Sequence, residues 1–295
     1  MTLKEFYRKY NNQIEQNITR ALKEDRVRND ITTHLLFDST GTNDIVTAGL
    51  QCKENCVLGG IEIFKKVYKL LDRRVRFVEY FKDGDRIRNK TIVLKVKAPL
   101  SVLLAGERVS LNFLQRMAGI ATLTNEFVRR LKYRNAKILH TRKTTPNFRL
   151  FEVAAVKIGG GDFHRLDMNS AVLLKDNHII AAGSLSKVLD SLNKKKLNSR
   201  VTNRFEVEVK TFGELMTVIE KGKRFVKIVM LDNFPQGQLD QAVKLIKGNV
   251  MQVEISGGIN LKNFNQLQKK GVDYYSIGML THSYKSVDFS LEFKA

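Results

Sequence analysis

The sequence predicts an α/β protein in which an α+β module precedes a barrel-like series of β/α units. Three observations carry this. Before residue 100, short alternating stretches are broken by turn signals such as Asp83-Gly84 and accompanied by one or two helical patterns, as in an antiparallel sheet with helices beside it. After residue 136, apolar strand candidates recur at 137–139, 171–174, 205–209, 226–231, 250–255 and 274–277, starting 20 to 35 residues apart with helical patterns between them. That rhythm is the one of repeated β/α units on a parallel sheet. Several of these apolar runs also end in cations, which looks like strands delivering charge to one rim.

In chain order, Phe6, Tyr10, Ile14, Ile18 and Leu22 have helical spacing, so residues 1–25 are read as a helix. Asp30-Ile31-Thr32-Thr33 opens a region of alternation, and 45–50 and 56–58 read as strands. A helix is expected over 61–71 after Gly59-Gly60, then strands at 76–80 and 91–98, the last ended by Pro99. Residues 103–131 form a helical pattern with Leu111, Leu114, Met117 and Ala118 on one face, interrupted at Gly119. The domain boundary falls in this segment, separating residues 1–115 from 116–282. Helices are expected at 184–193, 212–221, 237–246 and 261–270. Six strands are clear, so the barrel is open or short of eight.

Composition narrows the function classes. No run approaches the roughly 18 apolar residues of a membrane span, and the N-terminus has no secretory apolar region, so a cytoplasmic protein is expected. Two cysteines, Cys52 and Cys56, are too few for a disulfide framework or a zinc site and read as free thiols. A net charge of +21 raises nucleic-acid binding, but the lysines are spread along the chain with no basic tail and no aromatic-plus-basic signature. A solvated lysine-rich surface, part of which steers an anionic substrate, is the better reading.

The stretch from His140 to His178 concentrates the chemistry: Arg142 and Lys143 follow one apolar run, His164 and Arg165 follow a Gly triplet, and Lys175 follows another run. Lys143 and Lys175 suit either Schiff-base chemistry or anion clamping. With Arg142, Arg149, His164 and Arg165 nearby in sequence, clamping is favoured, because guanidinium groups bind carboxylate or phosphate through paired hydrogen bonds. The residues past the later strands are polar as well, and the C-terminal rim is where barrels carry their sites. Glu208 and Asp232 end neighbouring strands and suit magnesium or sugar hydroxyls, or are ordinary carboxylates paired with nearby lysines; the residues leave both open. Glu206 competes with Glu208, and strand parity does not choose between them. Ser256-Gly257-Gly258 lies between a strand and a helix, where glycine lets backbone N–H groups approach a phosphate, and Gly278 on the next strand strengthens that reading. His282 enters only by following Gly278 closely.

The runs HTRKTTPNFR, GGGDFHRLDM and LLKDNHI resemble the signature of the quinolinate phosphoribosyltransferases, with GERVSLNFLQRMAGIAT, FEVEV, MLDNF, EISGGI and SIGMLTHS resembling further blocks in the family's order. The resemblance covers about residues 100–283; His140 stands where many relatives have Asp, and the segment 221–227 is slightly longer than usual. It implies an N-terminal α/β sandwich domain and an open α/β barrel, with the chain end, 283–295, returning to the first domain. It also implies a reaction of quinolinate and 5-phosphoribosyl-1-pyrophosphate, with Mg2+, giving nicotinate mononucleotide, pyrophosphate and CO2 in NAD synthesis. By that resemblance Arg108, Arg142, His164 and Arg165 hold quinolinate, and Lys143 and Lys175 lie between the substrates. Glu208 and Asp232 serve ribose and metal, while Ser256, Gly257, Gly258, Gly278 and His282 take the 5-phosphate. It further implies a homodimer whose site is shared through Arg108; from the sequence alone Arg108 reads as an exposed arginine near a helix start, paired with Glu107. The rival readings are a Schiff-base lyase, which borohydride trapping would mark, a nucleic-acid binder, and a close relative acting on a different pyridine.

Overall fold

A computed structural model describes residues 1–37, 43–198, 202 and 204–293. They form two compact units, one of Met1–Glu126, Thr144–Gly161 and Leu280–Ala295, the other of Phe127–Lys143 and Asp162–Met279.

The first unit opens on helix α1 (Leu3–Glu24), started by a reciprocal Thr2–Glu5 capping box and burying Phe6, Ile14, Ile18 and Leu22. Residues 31–36 are not an alternating strand but a short helix, α2 (Ile31–Leu36). The Asp30 carboxylate accepts hydrogen bonds from the backbone N–H groups of Thr32 and Thr33, at 3.1 and 3.2 Å, and this cap outweighs the β-branched run. Strand β1 (Ile45–Cys52), β2 (Cys56–Val57), α3 (Ile61–Leu71), β3 (Arg76–Glu79), β4 (Arg86–Ile87) and β5 (Thr91–Pro99) follow, then the long helix α4 (Leu100–Arg130). The chain end, strand β12 (Phe289–Phe293), pairs antiparallel with β1, so the sheet order is β12-β1-β5-β3. Ala48, Leu50, Leu94 and Val96 of the sheet, Phe64 and Tyr68 of α3 and Leu111 and Leu114 of α4 share one buried core with Phe289 and Leu291.

Helix α4 is not interrupted at Gly119. A Cβ there would lie 2.2 Å from the Lys285 carbonyl oxygen, so the glycine serves close approach of another backbone rather than a helix break. A helix that the sequence reading did not separate out, α5 (Arg149–Ile158), also belongs to this unit. Phe113 of α4 contacts the rings of Phe148 and Phe151, and fully buried Glu152 is paired with Arg116.

The second unit is a six-stranded, all-parallel sheet of β6 (Lys137–Leu139), β7 (Val172–Leu174), β8 (Phe205–Val209), β9 (Ile228–Asp232), β10 (Gln252–Ser256) and β11 (Tyr274–Ser276). Its order is β6-β11-β10-β9-β8-β7; the two end strands do not pair, so the barrel is open, as expected. Helices α6 (Asp176–Ala181) and α7 (Leu185–Asn193) follow β7, α8 (Phe212–Lys221) follows β8 and α9 (Leu239–Gly248) follows β9. All five residues of β8 are buried, as in a parallel strand covered on both faces. The helix expected at 261–270 shrinks to α10 (Phe264–Leu267). Asn260 and Asn263 side chains bond each other's backbone N–H groups, and Asn263 also donates to the Gly258 carbonyl, which competes with helical bonding. Among the described residues no helix is long and apolar enough to cross a membrane.

Candidate active site

The strand ends of the second unit converge on a cavity of about 410 Å³. β6 delivers Arg142 and Lys143, β7 delivers Lys175, β8 Glu208, β9 Asp232 and β10 Ser256; His164 and Arg165 enter from the segment between β6 and β7. Eight residues singled out from sequence thus line one cavity. Glu208 is 7% exposed, with Lys175 Nζ 3.6 Å away and Lys210 Nζ at 4.0 Å. Burial, and then the Asp232 carboxylate, hold Glu208 above the usual carboxylate range. Two carboxylates that repel each other at a strand-end rim are a donor set suited to a divalent cation.

The opposite charge lines the same cavity. Arg165 is 9% exposed, and its guanidinium is pushed below its ordinary value by burial and then by the neighbouring Arg142. Two neighbouring guanidinium groups favour an anion between them. The loop carrying His164 is anchored by His140: buried His140 accepts the His164 backbone N–H on Nε2 at 3.0 Å. Its proton therefore sits on Nδ1, 3.2 Å from the Thr141 carbonyl.

Glu206 and Glu208 share a strand face, and depth separates them. Glu206 lies below the rim, its Oε2 3.3 Å from His164 Nε2, and does not line the rim cavity. Fully buried Glu254 joins the same group, with Oε2 3.6 Å from that nitrogen. Burial is the first cause that pushes Glu254 up to about 8 and Glu206 up to about 7. Folded-state values raised above 4.5 mean that these carboxyls keep protons the unfolded chain has released. Their contribution to stability is complete below pH 4.5 and is lost as pH rises through 7 to 8. Glu254→Gln, which carries no titrating proton, is expected to gain melting temperature relative to the unsubstituted chain between pH 5 and 8.5, read by calorimetry. A constant difference across that range would show that Glu254 does not titrate there.

Gly257 and Gly258 form the turn after β10 with φ of +90° and +56°, and a Cβ on Gly257 would meet Asn233 at 2.4 Å. Both the strain and the close approach require glycine at 257. Gly278 follows β11, and His282 ends α11 (Met279–His282), its Nδ1 2.7 Å from Ser283 Oγ; His282 belongs to the first unit. Arg108 also belongs to the first unit, exposed on α4. It lies about two turns inside that helix rather than at its start, so it is not a helix-terminal arginine. Arg149 is not a rim cation: it starts α5, and its Nε donates to Thr144 Oγ1 at 2.9 Å. Lys210 was missed. It lines the cavity, with Nζ 2.6 Å from Asp176, and the rule that found Lys175, a cation just past a strand end, would have found it.

The family model described as quinolinate phosphoribosyl transferase, N-terminal domain, matches residues 30–118, and its C-terminal counterpart matches residues 120–292. A probable nicotinate-nucleotide pyrophosphorylase [carboxylating] of Bacillus subtilis (strain 168) is 35% identical over 272 residues, covering 89% of this chain and 92% of the relative. A mitochondrial quinolinate phosphoribosyltransferase [decarboxylating] 2a of Nicotiana tabacum is 37% identical over 252 residues, covering 81% of this chain and 71% of its own length. The solved structure of NadC from Streptococcus pyogenes is similar with a TM-score of 0.85 and 39% identity, covering 95% of this chain and 96% of that one. The chain belongs to the quinolinate phosphoribosyltransferase family.

Proposed function

We propose that this chain transfers the phosphoribosyl group of 5-phosphoribosyl-1-pyrophosphate to quinolinate with loss of CO2, giving nicotinate mononucleotide and pyrophosphate for NAD synthesis. The observation that carries this is one cavity lined both by the neighbouring guanidinium groups of Arg142 and Arg165 and by the neighbouring carboxylates of Glu208 and Asp232. Two adjacent carboxylates on a pyridine ring answer the first pair. Ribose hydroxyls answer the second, and Mg2+ held by Glu208 and Asp232 would offset the charge of departing pyrophosphate. Lys143 and Lys175 stand in the same cavity, so carboxylate and pyrophosphate can share their charge. The ring nitrogen attacks the anomeric carbon as pyrophosphate leaves, and the resulting pyridinium accepts the electron pair freed when the 2-carboxylate departs. No covalent nucleophile is needed; the protein supplies positioning and charge. The turn at Ser256, Gly257 and Gly258, with Gly278, takes the 5-phosphate in this reading. We place the reaction in the cytoplasm, where the free thiols of Cys52 and Cys56 persist. The deciding experiment is an assay for nicotinate mononucleotide and pyrophosphate formed from quinolinate by the purified chain. Turnover of another pyridine acid with quinolinate inert would favour the close-relative reading.

The same proposal includes a homodimer in which Arg108 reaches the partner's quinolinate site. A third cation strengthens a desolvated dicarboxylate pocket, and Arg108 is exposed on α4. Arg108→Ala and Lys143→Ala proteins should each be nearly inactive. Mixed under conditions of subunit exchange, they should recover about a quarter of full activity, because roughly half of the dimers are mixed and each has one intact site. Exchange without recovery would place Arg108 in its own chain's site or outside the reaction.

A further inference from the structure

Loss of CO2 from ring carbon 2 leaves an electron pair on that carbon, and nicotinate mononucleotide carries hydrogen there. Each turnover therefore needs one proton delivered at the cavity. We propose that Glu254 supplies this proton through His164, a proton-relay role for a carboxyl buried beneath the rim. The inference rests on the proposed reaction.

His164 lines the rim cavity and also a second cavity of about 260 Å³ that Glu206 and Glu254 line. Its Nε2 is turned to the acids, 3.3 Å from Glu206 and 3.6 Å from Glu254, which leaves Nδ1 for the rim side. Glu254 is fully buried, and its carboxyl meets no side chain at full hydrogen-bond geometry among the described residues, its nearest polar neighbours being His164, Glu206 and Ser276. Facing it are Glu206 from β8, His164 and Arg165 from the segment before β7, Arg204 ahead of β8, and Tyr274 and Ser276 of β11. A carboxyl sealed from water among such groups keeps its proton near neutral pH, whereas burial keeps the His164 imidazole neutral. Acid contacts that are long in a free enzyme tighten when substrate fills the site.

The bond from carbon 2 to the carboxylate breaks, its electron pair stays on carbon 2, and CO2 leaves. The Nδ1–H bond of His164 breaks and its proton forms the new C–H bond, while the Glu254 proton passes to Nε2. When product leaves, water at the rim protonates Nδ1 and the Nε2 proton returns to Glu254. One solvent proton is consumed, and no oxidant or reductant takes part. Lys143 and Lys175 are the competing donors in the cavity, and their proton would not depend on Glu254.

The test compares the unsubstituted chain with Glu254→Gln and Glu254→Asp. For Glu254→Gln, turnover should fall by about 30-fold or more with KM for quinolinate within about threefold. In equal H2O and D2O the ratio of hydrogen to deuterium at carbon 2 should change, because the donor has changed, and Glu254→Asp should restore part of the rate. If the glutamine variant does not fold, the aspartate variant gives the same comparison. Turnover within threefold and an unchanged isotope ratio would overturn the relay. A raised KM with turnover kept would also overturn it, because Glu254 would then only orient His164. Loss of activity to a chelator in excess Mg2+, restored by zinc, would make His164, Glu206 and Glu254 metal ligands and overturn it too. If the unsubstituted chain makes no nicotinate mononucleotide, the proposed reaction itself fails, which is a separate outcome.

Discussion

Replacing Lys143 or Lys175 by alanine is expected to lower turnover by about two to three orders of magnitude while moving the melting temperature by only about 2–4 °C. Lys143 follows β6 and Lys175 follows β7, at opposite ends of the sheet order, and both reach the same cavity. Little packing depends on either. The Lys175 side chain is 47% exposed, and its partner Glu208 keeps Lys210 at 4.0 Å. A partly exposed ion pair of this kind contributes about 0–1 kcal/mol to stability. Charge that develops on departing pyrophosphate in a desolvated cavity is another matter, since a preorganised cation acts there at several times its value in water. Steady-state rates and calorimetry on the same preparations check both halves. A melting temperature that collapses together with activity would make these lysines structural.

Nicotinic acid, which lacks the 2-carboxylate, should have a specificity constant about four orders of magnitude below that of quinolinate. Arg142 sits close enough to Arg165 to lower the proton affinity of Arg165, which is nearly sealed from water. A ligand with one carboxylate forgoes the hydrogen bonds and charge contacts that a second carboxylate would make with these guanidinium groups. The comparison also separates the proposed substrate from other pyridines. Comparable constants for the two acids would remove the quinolinate assignment.

The barrel was the most legible part of the chain. Buried parallel strands are short apolar runs set apart by helical spacers, and their starts and ends fall within about two residues of those expected because few other patterns fit. The rim was legible for the same reason: a strand end tells where Lys175, Glu208, Asp232 and Ser256 project. Other features were hidden by tertiary contacts or by local side-chain bonds. Gly119 looked like a helix break because nothing local shows the Lys285 carbonyl that passes over it. Asp30 turned a β-branched run into a helix through two hydrogen bonds. Arg149 stood among site cations in sequence and belongs to a different unit. Depth along a strand was equally hidden: Glu206 and Glu208 have the same parity, and only their partners, His164 for one and Lys175 for the other, distinguish them.

The pairing of β12 with β1 has a consequence during synthesis. Until residues 289–293 leave the ribosome, β1 is an open edge of the first unit's sheet, and Leu50 and Cys52 lack the partners Leu291 and Phe289. At about 5–20 residues per second, that edge waits on the order of ten seconds or more after β1 itself emerges. The nascent chain therefore carries an apolar strand with one edge unpaired over that interval, the state in which strands of neighbouring chains pair wrongly. Chaperone demand for this protein should persist until residues 289–293 have emerged and fall once β12 pairs with β1.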